Sequence, residues 1–191
     1  MPRSSRSDHD GRRSRWDWPR VLAAVAAIAL LLSWAFGSQL FPAGRELIGK
    51  PAPSFSLPVL ANGEPGARMS LSELGGVVVV VDFWATWCEP CLVQAPILER
   101  VAQAHPDDVV VLGVSVDEDP ELARRFVRQK RLTYPIVVDD TGVVQAAYGA
   151  RTLPLVVVID PAGRVAKVLP GLSSRSRLED AISAARQQVD R

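Results

Sequence analysis

The stretch that decides the fold runs from Val77 to Cys91 and reads VVVVVDFWATWCEPC. Its first half is a β-branched run without polar alternation before Asp82, which is typical of a strand buried on both faces. It ends in Cys88 and Cys91, the only two cysteines of the 191-residue chain, and a helix-compatible stretch follows. A strand that delivers a Cys-x-x-Cys pair to the first turn of a helix is the geometry of reversible dithiol–disulfide chemistry.

The two cysteines are expected to have different roles. The unpaired N–H groups at a helix N-terminus favour negative charge, so Cys88 is expected to be the exposed, reactive thiolate. It would form a mixed disulfide with a partner. Cys91, one turn further into the helix, would resolve that disulfide and release the partner.

Other uses of two cysteines fit the sequence less well. A structural zinc site needs four ligands, and the chain offers only His9, His105 and one cysteine pair. A c-type haem site needs histidine directly after the second cysteine, where Leu92 stands. Two inert buried cysteines remain an alternative. We therefore predict no metal and no cofactor other than the Cys88–Cys91 disulfide itself.

Asp82 and Trp87 are candidate site residues beside the cysteines. Asp82 interrupts an apolar strand, so its carboxyl is expected to be buried, which would raise its pKa. Such a group could exchange a proton with the Cys91 thiol. The alternative is a strand-end aspartate satisfied by backbone N–H groups. Trp87 is expected to pack and to give an apolar rim for a docking partner.

The N-terminal part predicts an anchor. The segment 21–41 is apolar and uncharged, near the roughly 20 residues that a spanning helix needs, and an arginine-rich tail precedes it. Arginine on that side predicts a cytoplasmic N-terminus and an extracytoplasmic domain. A cleavable signal peptide ending near Ala35 is the alternative. The predicted organisation is a disordered tail over 1–20, a transmembrane helix over 21–41, a linker over 42–53 and a folded domain over 54–191.

The folded domain alternates strands and helices. An edge strand is predicted over 55–60 and a connecting turn over 70–74. A capping box at Ser176 and Glu179 is expected to open the last helix. The other predicted strands cover 77–83, 109–116, 134–138, 155–159 and 164–169, and the helices cover 88–104, 121–130 and 143–148. This order predicts an α/β fold with a mixed sheet. The net charge of +1 argues against nucleic acid as the main partner.

The stretch Val81–Cys91 resembles the active-site strand and helix of the thioredoxin superfamily. More narrowly, the chain is similar to the membrane-anchored TlpA/ResA/CcmG group of extracytoplasmic thiol-disulfide oxidoreductases. The segments Gly49–Phe55, Leu71–Leu74 and Leu153–Gly163 resemble that group's entry segment, connecting turn, and cis-proline with its following hairpin.

The resemblance implies a thioredoxin-like fold with a mixed central sheet flanked by helices. It implies that Pro154 is cis beside the cysteine pair and that the Leu153 backbone can pair with an extended substrate. Trp87, Glu89 and Pro90 would complete the substrate-binding surface. Members of the group reduce disulfides in apocytochrome c or other exported proteins, with electrons from a membrane thiol transporter.

Two positions depart from the group. Many members carry an acidic residue where this chain has Gln94, and asparagine where it has Asp82. The proton acceptor is therefore expected on the strand rather than on the helix. The negative charge of Glu89 disfavours the Cys88 thiolate, which predicts a reductant. A thiol peroxidase is an alternative, although Ala85 stands where its threonine is usual. A non-catalytic tether or chaperone is another.

Overall fold

A computed structural model of the chain describes residues 18–36 and 44–188. The chain divides into two units, Met1–Phe41 and Pro42–Arg191. Within the first unit, the described residues form one helix, α1 (Trp18–Phe36).

The predicted transmembrane segment 21–41 overlaps α1 in part. Among the described residues, no helix combines the length and the apolar character that crossing a membrane requires. Residues 37–41 of the predicted segment lie outside the described residues, as do tail residues 1–17 and linker residues 42–43.

The second unit is built on a mixed sheet. In the described residues its strands are β1 (Ser56–Ala61), β2 (Arg68–Ser70), β3 (Val78–Trp84), β4 (Val109–Ser115), β5 (Ile136–Val138), β6 (Leu155–Ile159) and β7 (Val165–Pro170). Their order across the sheet is β2-β1-β5-β4-β3-β6-β7. Strands β3, β4 and β5 run parallel, and the other pairings are antiparallel. The predicted mixed α/β architecture is confirmed.

Helices cover both faces of the sheet. They are α2 (Glu89–Ala104), α3 (Pro120–Lys130), α4 (Val143–Ala147) and α5 (Arg175–Gln187), with short 3-10 helices at Arg45–Leu47 and Leu71–Leu74. One face of the sheet forms an apolar core with α2, α3 and α5. The other face packs with α4 and with residues of β1. The predicted helices are confirmed to within a residue or two, and the connecting turn is the second 3-10 helix.

Strand β3 is buried along its whole length, as the β-branched run predicts. It lies between β4 and β6. Its side chains alternate between the two cores: Val80 and Trp84 face α2, whereas Val81 and Phe83 face the opposite side. The strand that leads to the cysteines is thus packed on both faces and paired with a neighbouring strand along both edges.

Two sequence expectations are wrong. The strand predicted at 55–60 is not an edge strand, because β2, which the sequence did not reveal, pairs with its outer side. A three-residue strand carries too little periodicity to be recognised in a sequence. The last helix is capped by Ser174, whose hydroxyl accepts from the Arg177 N–H, and not by Ser176.

A cluster of charged side chains joins the C-terminal end of α2 to α5. His105, the C-cap residue of α2, lies 2.6 Å from a carboxylate oxygen of Glu179. The Arg186 guanidinium donates to the other ring nitrogen of His105 and pairs with Asp108 at 2.6 Å. Burial alone would raise the pKa of Glu179, but hydrogen bonds and charges from His105 and Arg175 lower it. This cluster fixes the helix that carries the cysteines.

Candidate active site

The cysteine pair lies at the start of α2, directly after the short loop that follows β3. Cys88 is the N-cap residue of α2, and its N–H donates to the Ala85 carbonyl at 3.2 Å. Cys91 N–H donates back to the Cys88 carbonyl at 3.0 Å. Pro90, in the first turn, brings no N–H that would need a partner. The positive end of the helix dipole therefore lies at Cys88 and favours a thiolate there.

The two cysteines form a disulfide, with their Cα atoms 5.2 Å apart. Cys88 keeps 6% of its surface open and Cys91 keeps none. The expected order of accessibility is therefore present, although Cys88 is more covered than the sequence led us to expect. An attacking group can reach the pair only from the Cys88 side.

Asp117 holds the loop before Cys88, a role that the sequence analysis missed. Its buried carboxylate accepts from the Thr86 N–H at 3.0 Å and from the Thr86 hydroxyl at 2.6 Å. It also accepts from the Ser115 hydroxyl at 2.9 Å. Its partner Thr86 is distant along the chain, so no local sequence pattern indicates this contact. This network presents Trp87, which is 70% exposed, beside Cys88.

The Leu153–Pro154 peptide is cis, as the resemblance implies. Strand β6 begins one residue later and pairs Leu155 with Phe83, so Pro154 lies beside the end of β3 that leads to the cysteines. Pro154 is buried and Leu153 is half-buried. The sheet register thus brings Leu153 and Pro154 to the same edge as the dithiol pair.

Gln94 ties α2 to the loop beyond Pro154. It is fully buried, and its side-chain oxygen accepts from the Ser173 N–H at 2.7 Å. In the same loop, the Gly171 N–H donates to the Pro154 carbonyl at 2.8 Å. In the sequence, Gln94 stands out only because many group members carry an acidic residue at its position. The structure gives its amide a positioning role on the side of the cis-proline.

Asp82 is buried completely, on the α2-facing side of β3. Neither carboxylate oxygen has a hydrogen-bond partner among the described residues. Burial therefore raises the pKa of Asp82 to about 7. The alternative of an aspartate satisfied by backbone N–H groups is wrong. An unpaired carboxyl that titrates near neutral pH is suited to exchange protons with a thiol.

In the described residues no group of three or more His, Cys, Asp or Glu side chains is placed to hold a metal ion. The chemistry that the geometry supports is carried by Cys88, Cys91 and the buried carboxyl of Asp82.

The fold and this site together define a thiol-disulfide oxidoreductase of thioredoxin-like fold. The chain belongs to the AhpC/TSA family, whose sequence pattern matches residues 48–168.

Relatives with established names agree with this class. The chain is 33% identical over 167 residues to the thiol-disulfide oxidoreductase ResA of Bacillus subtilis, covering 84% of this chain and 91% of ResA. It is also 33% identical to ResA of Halalkalibacterium halodurans over 172 residues, covering 88% of this chain and 94% of that protein.

Solved structures give the same result. A secreted disulfide oxidoreductase of Mycobacterium tuberculosis, described as homologous to E. coli DsbE, matches with a TM-score of 0.61 and 27% identity over 68% of this chain and 95% of its own. A thiol:disulfide interchange protein of the thioredoxin family from Chlorobium tepidum matches with a TM-score of 0.63 and 27% identity, over 71% and 94% of the two chains. The thioredoxin-like fold that the resemblance implies is confirmed.

We expect Asp117→Ala to destabilise the protein by about 2–4 kcal/mol and to slow disulfide exchange at Cys88 several-fold, because three donors lose their acceptor. Denaturant unfolding and alkylation of Cys88 in the reduced protein measure the two effects. Asp119→Ala is the matched control: it removes an exposed helix cap and costs about 1 kcal/mol. Normal Cys88 reactivity in folded Asp117→Ala would contradict a positioning role.

Asp82 should make the oxidised protein less stable as the pH rises. The pKa of Asp82 is raised to about 7 in the folded state from an ordinary 3.8. The folded state therefore holds the proton more tightly, and this stability is full below about pH 3.8 and is lost as the pH rises from there to about 7.

We expect Asp82→Asn to match the wild type near pH 4 and to exceed its stability by up to about 4 kcal/mol at pH 8. Thermal unfolding at the two pH values tests this. Asp160→Asn is the control, because the buried Asp160 carboxylate already accepts from the Arg164 N–H at 2.8 Å. An equal gain at both pH values would show that ionisation of Asp82 is not the cause.

Proposed function

We propose that the protein is a membrane-tethered, extracytoplasmic disulfide reductase that acts on exported proteins through the Cys88–Cys91 pair. The observation that carries this proposal is the combination of Cys88 at the N-terminus of α2 and an unpaired, buried Asp82 beneath the same helix. The first group supplies a nucleophile, and the second supplies a proton acceptor near neutral pH.

The reaction begins with the reduced pair. The Cys88 thiolate attacks one sulfur of the substrate disulfide, which forms a mixed disulfide and expels the other substrate sulfur as a thiolate. That thiolate takes a proton from solvent. The helix N-terminus stabilises Cys88 as a thiolate before the attack.

The resolving step uses Cys91 and Asp82. The ionised Asp82 carboxylate accepts the Cys91 proton, directly or through water, and the Cys91 thiolate attacks the Cys88 sulfur. The second substrate sulfur leaves as a thiolate and takes a proton from solvent, and Asp82 releases to solvent the proton that it accepted from Cys91. Two electrons and two protons have then reached the substrate, and the enzyme holds the Cys88–Cys91 disulfide. A membrane dithiol transporter is the proposed donor that reduces it again.

The substrate segment is proposed to dock around the pair. Trp87 offers an exposed apolar rim, and Glu89 and Pro90 lie exposed beside it. The Leu153 backbone, set by the cis peptide to Pro154, lies at the same edge of the sheet and can pair with an extended chain. Backbone pairing recognises an unfolded segment rather than one particular sequence, which suits exported proteins such as apocytochrome c.

The proposed location is supported by the sequence. The segment 21–41 carries no charge and follows an arginine-rich tail, a pattern that favours a cytoplasmic tail and an extracytoplasmic domain. A related disulfide oxidoreductase of Mycobacterium tuberculosis and a related thiol-disulfide isomerase of Corynebacterium glutamicum are described as secreted.

We expect Cys91→Ser to accumulate covalent mixed disulfides with exported proteins, because the resolving thiol is missing. Affinity purification of the full-length variant from membranes, followed by reduction and mass spectrometry, identifies the partners. The double variant Cys88→Ser/Cys91→Ser should capture none. Trapped cytoplasmic proteins would contradict the location, and an inability of the wild type to reduce insulin disulfides would contradict the reductase itself.

The reduction potential should lie near that of thioredoxin, about −270 mV. We expect Glu89→Gln to raise it by roughly 10–20 mV, because an exposed negative charge beside the thiolate disfavours the reduced form. Equilibration with glutathione measures both values. Glu121→Gln, in the first turn of α3, is a matched control and should leave the potential unchanged. A wild-type value near −120 mV would make the protein an oxidant.

A further inference from the structure

The ladder neighbour of Asp82 in β4 has no side chain. The parallel register pairs Asp82 with Gly113, so both positions face α2. Neighbouring strands lie about 4.8 Å apart. The space directly beside the Asp82 carboxyl on this face is therefore left to side chains from elsewhere in the fold.

Ile136, Trp84 and Tyr134 occupy that space, and Ile136 comes nearest, because its Cδ1 would lie 2.5 Å from a Cβ atom at Gly113. A Cβ atom at Gly113 would lie 3.1 Å from Nε1 of Trp84 and 3.2 Å from Cε2 of Tyr134, the ring carbon next to the one that bears the hydroxyl. Both polar groups are buried, and neither has a hydrogen-bond partner within the described part of the chain. Two buried donors without acceptors thus lie around Gly113, the ladder partner of Asp82, whose carboxyl is a buried acceptor without donors, although buried polar groups are nearly always paired.

The backbone around Tyr134 is held from two sides. The Asn62 side chain donates to the carbonyls of Leu132 and Tyr134 at 2.8 and 2.9 Å. On α2, the Glu99 carboxylate accepts from the Thr133 N–H at 2.7 Å and from its hydroxyl at 2.6 Å. These contacts hold the backbone at Tyr134 in place and so determine where its ring enters the core. None of them involves the Tyr134 hydroxyl, which can therefore donate to another group.

We propose that Tyr134 is a positioning residue for the dithiol site, whose hydroxyl donates to the ionised Asp82 carboxylate through one bridging water. The Trp84 N–H is the second donor of the same cluster. Donation to the charged form keeps the proton affinity of Asp82 lower than burial alone would make it. Asp82 can then accept the Cys91 proton at neutral pH. This inference rests on the proposed function.

The electrostatics agree with this placement. Burial raises the pKa of Tyr134 well above its ordinary value, and the negative charges of Asp82 and Glu99 add to the effect. The hydroxyl therefore stays protonated as a donor throughout the working range.

The other groups around Asp82 are known from the elements packed there. On α2, the Cys91 sulfur lies in the disulfide and Glu99 carries a carboxylate, whereas Gly113 of β4 and Val156 of β6, the ladder partners of Asp82, have no ionisable side chain. The residues that α3 and α5 bury against this face are apolar.

Tyr134→Phe removes only the hydroxyl and tests the proposal. We expect the pKa of Asp82 in the oxidised protein, followed by carbon NMR of labelled aspartate, to rise by about one unit. The pH profile of mixed-disulfide resolution should move in the same direction, which makes this step about fivefold slower at pH 7. Tyr148→Phe is the matched control: its hydroxyl donates to the Pro53 carbonyl at 2.7 Å, and its ring lies in the opposite core.

The outcomes distinguish the proposed role of Tyr134 from the proposed reductase function. A shift in the pH profile of mixed-disulfide resolution that Tyr134→Phe causes in the wild type, and that disappears in an Asp82→Asn background, supports the inference. An unchanged Asp82 titration in folded Tyr134→Phe, or an equal shift in Tyr148→Phe, overturns it while leaving the reductase intact. A wild type that reduces no disulfide overturns the proposed function, and the NMR titration still decides the role of Tyr134.

Discussion

The junction between β3 and α2 is the constraint on which the rest of the structure depends. Strand β3 is buried on both faces and paired on both edges, so its last residue has little freedom. The chain must leave the sheet there and enter a helix whose N-cap is Cys88. Asp117 supports the connecting loop, and the cluster at His105 holds the other end of α2. The reactive sulfur is therefore positioned by the whole domain.

Asp82 shows how this scaffold is used for chemistry. A carboxyl buried without partners costs stability at neutral pH, and the large core around it can tolerate that cost. The same burial moves its pKa to about 7, where a carboxyl can both accept and return a proton. In our proposal, the donors Tyr134 and Trp84 adjust this value. Burial of this one carboxyl thus lowers the stability of the folded protein at neutral pH, and at the same time it gives the carboxyl the pKa that proton exchange requires.

Long, strongly patterned elements were predictable from the sequence, and short or cooperative features were not. The β-branched run over 77–83 predicted a buried strand, and the Cys-x-x-Cys spacing with Pro90 predicted the start of a helix. Strand β2 is too short to show periodicity, so β1 was taken for an edge. Ser174 and Ser176 are both acceptable N-cap residues, and the folded chain uses Ser174.

The sequence by itself determined the chemistry, because two cysteines at this spacing after a buried strand allow few other uses. It also determined that Asp82 would be buried, since one charge stood inside an apolar run. Only the tertiary structure decided what surrounds these groups. Asp117 and, in our proposal, Tyr134 reach the site across long stretches of chain, Gln94 finds its partner Ser173 in a distant loop, and no local pattern records such contacts. Hydrogen bonding and electrostatics act through space, so the partners of a buried group become known only when the strands and helices are packed.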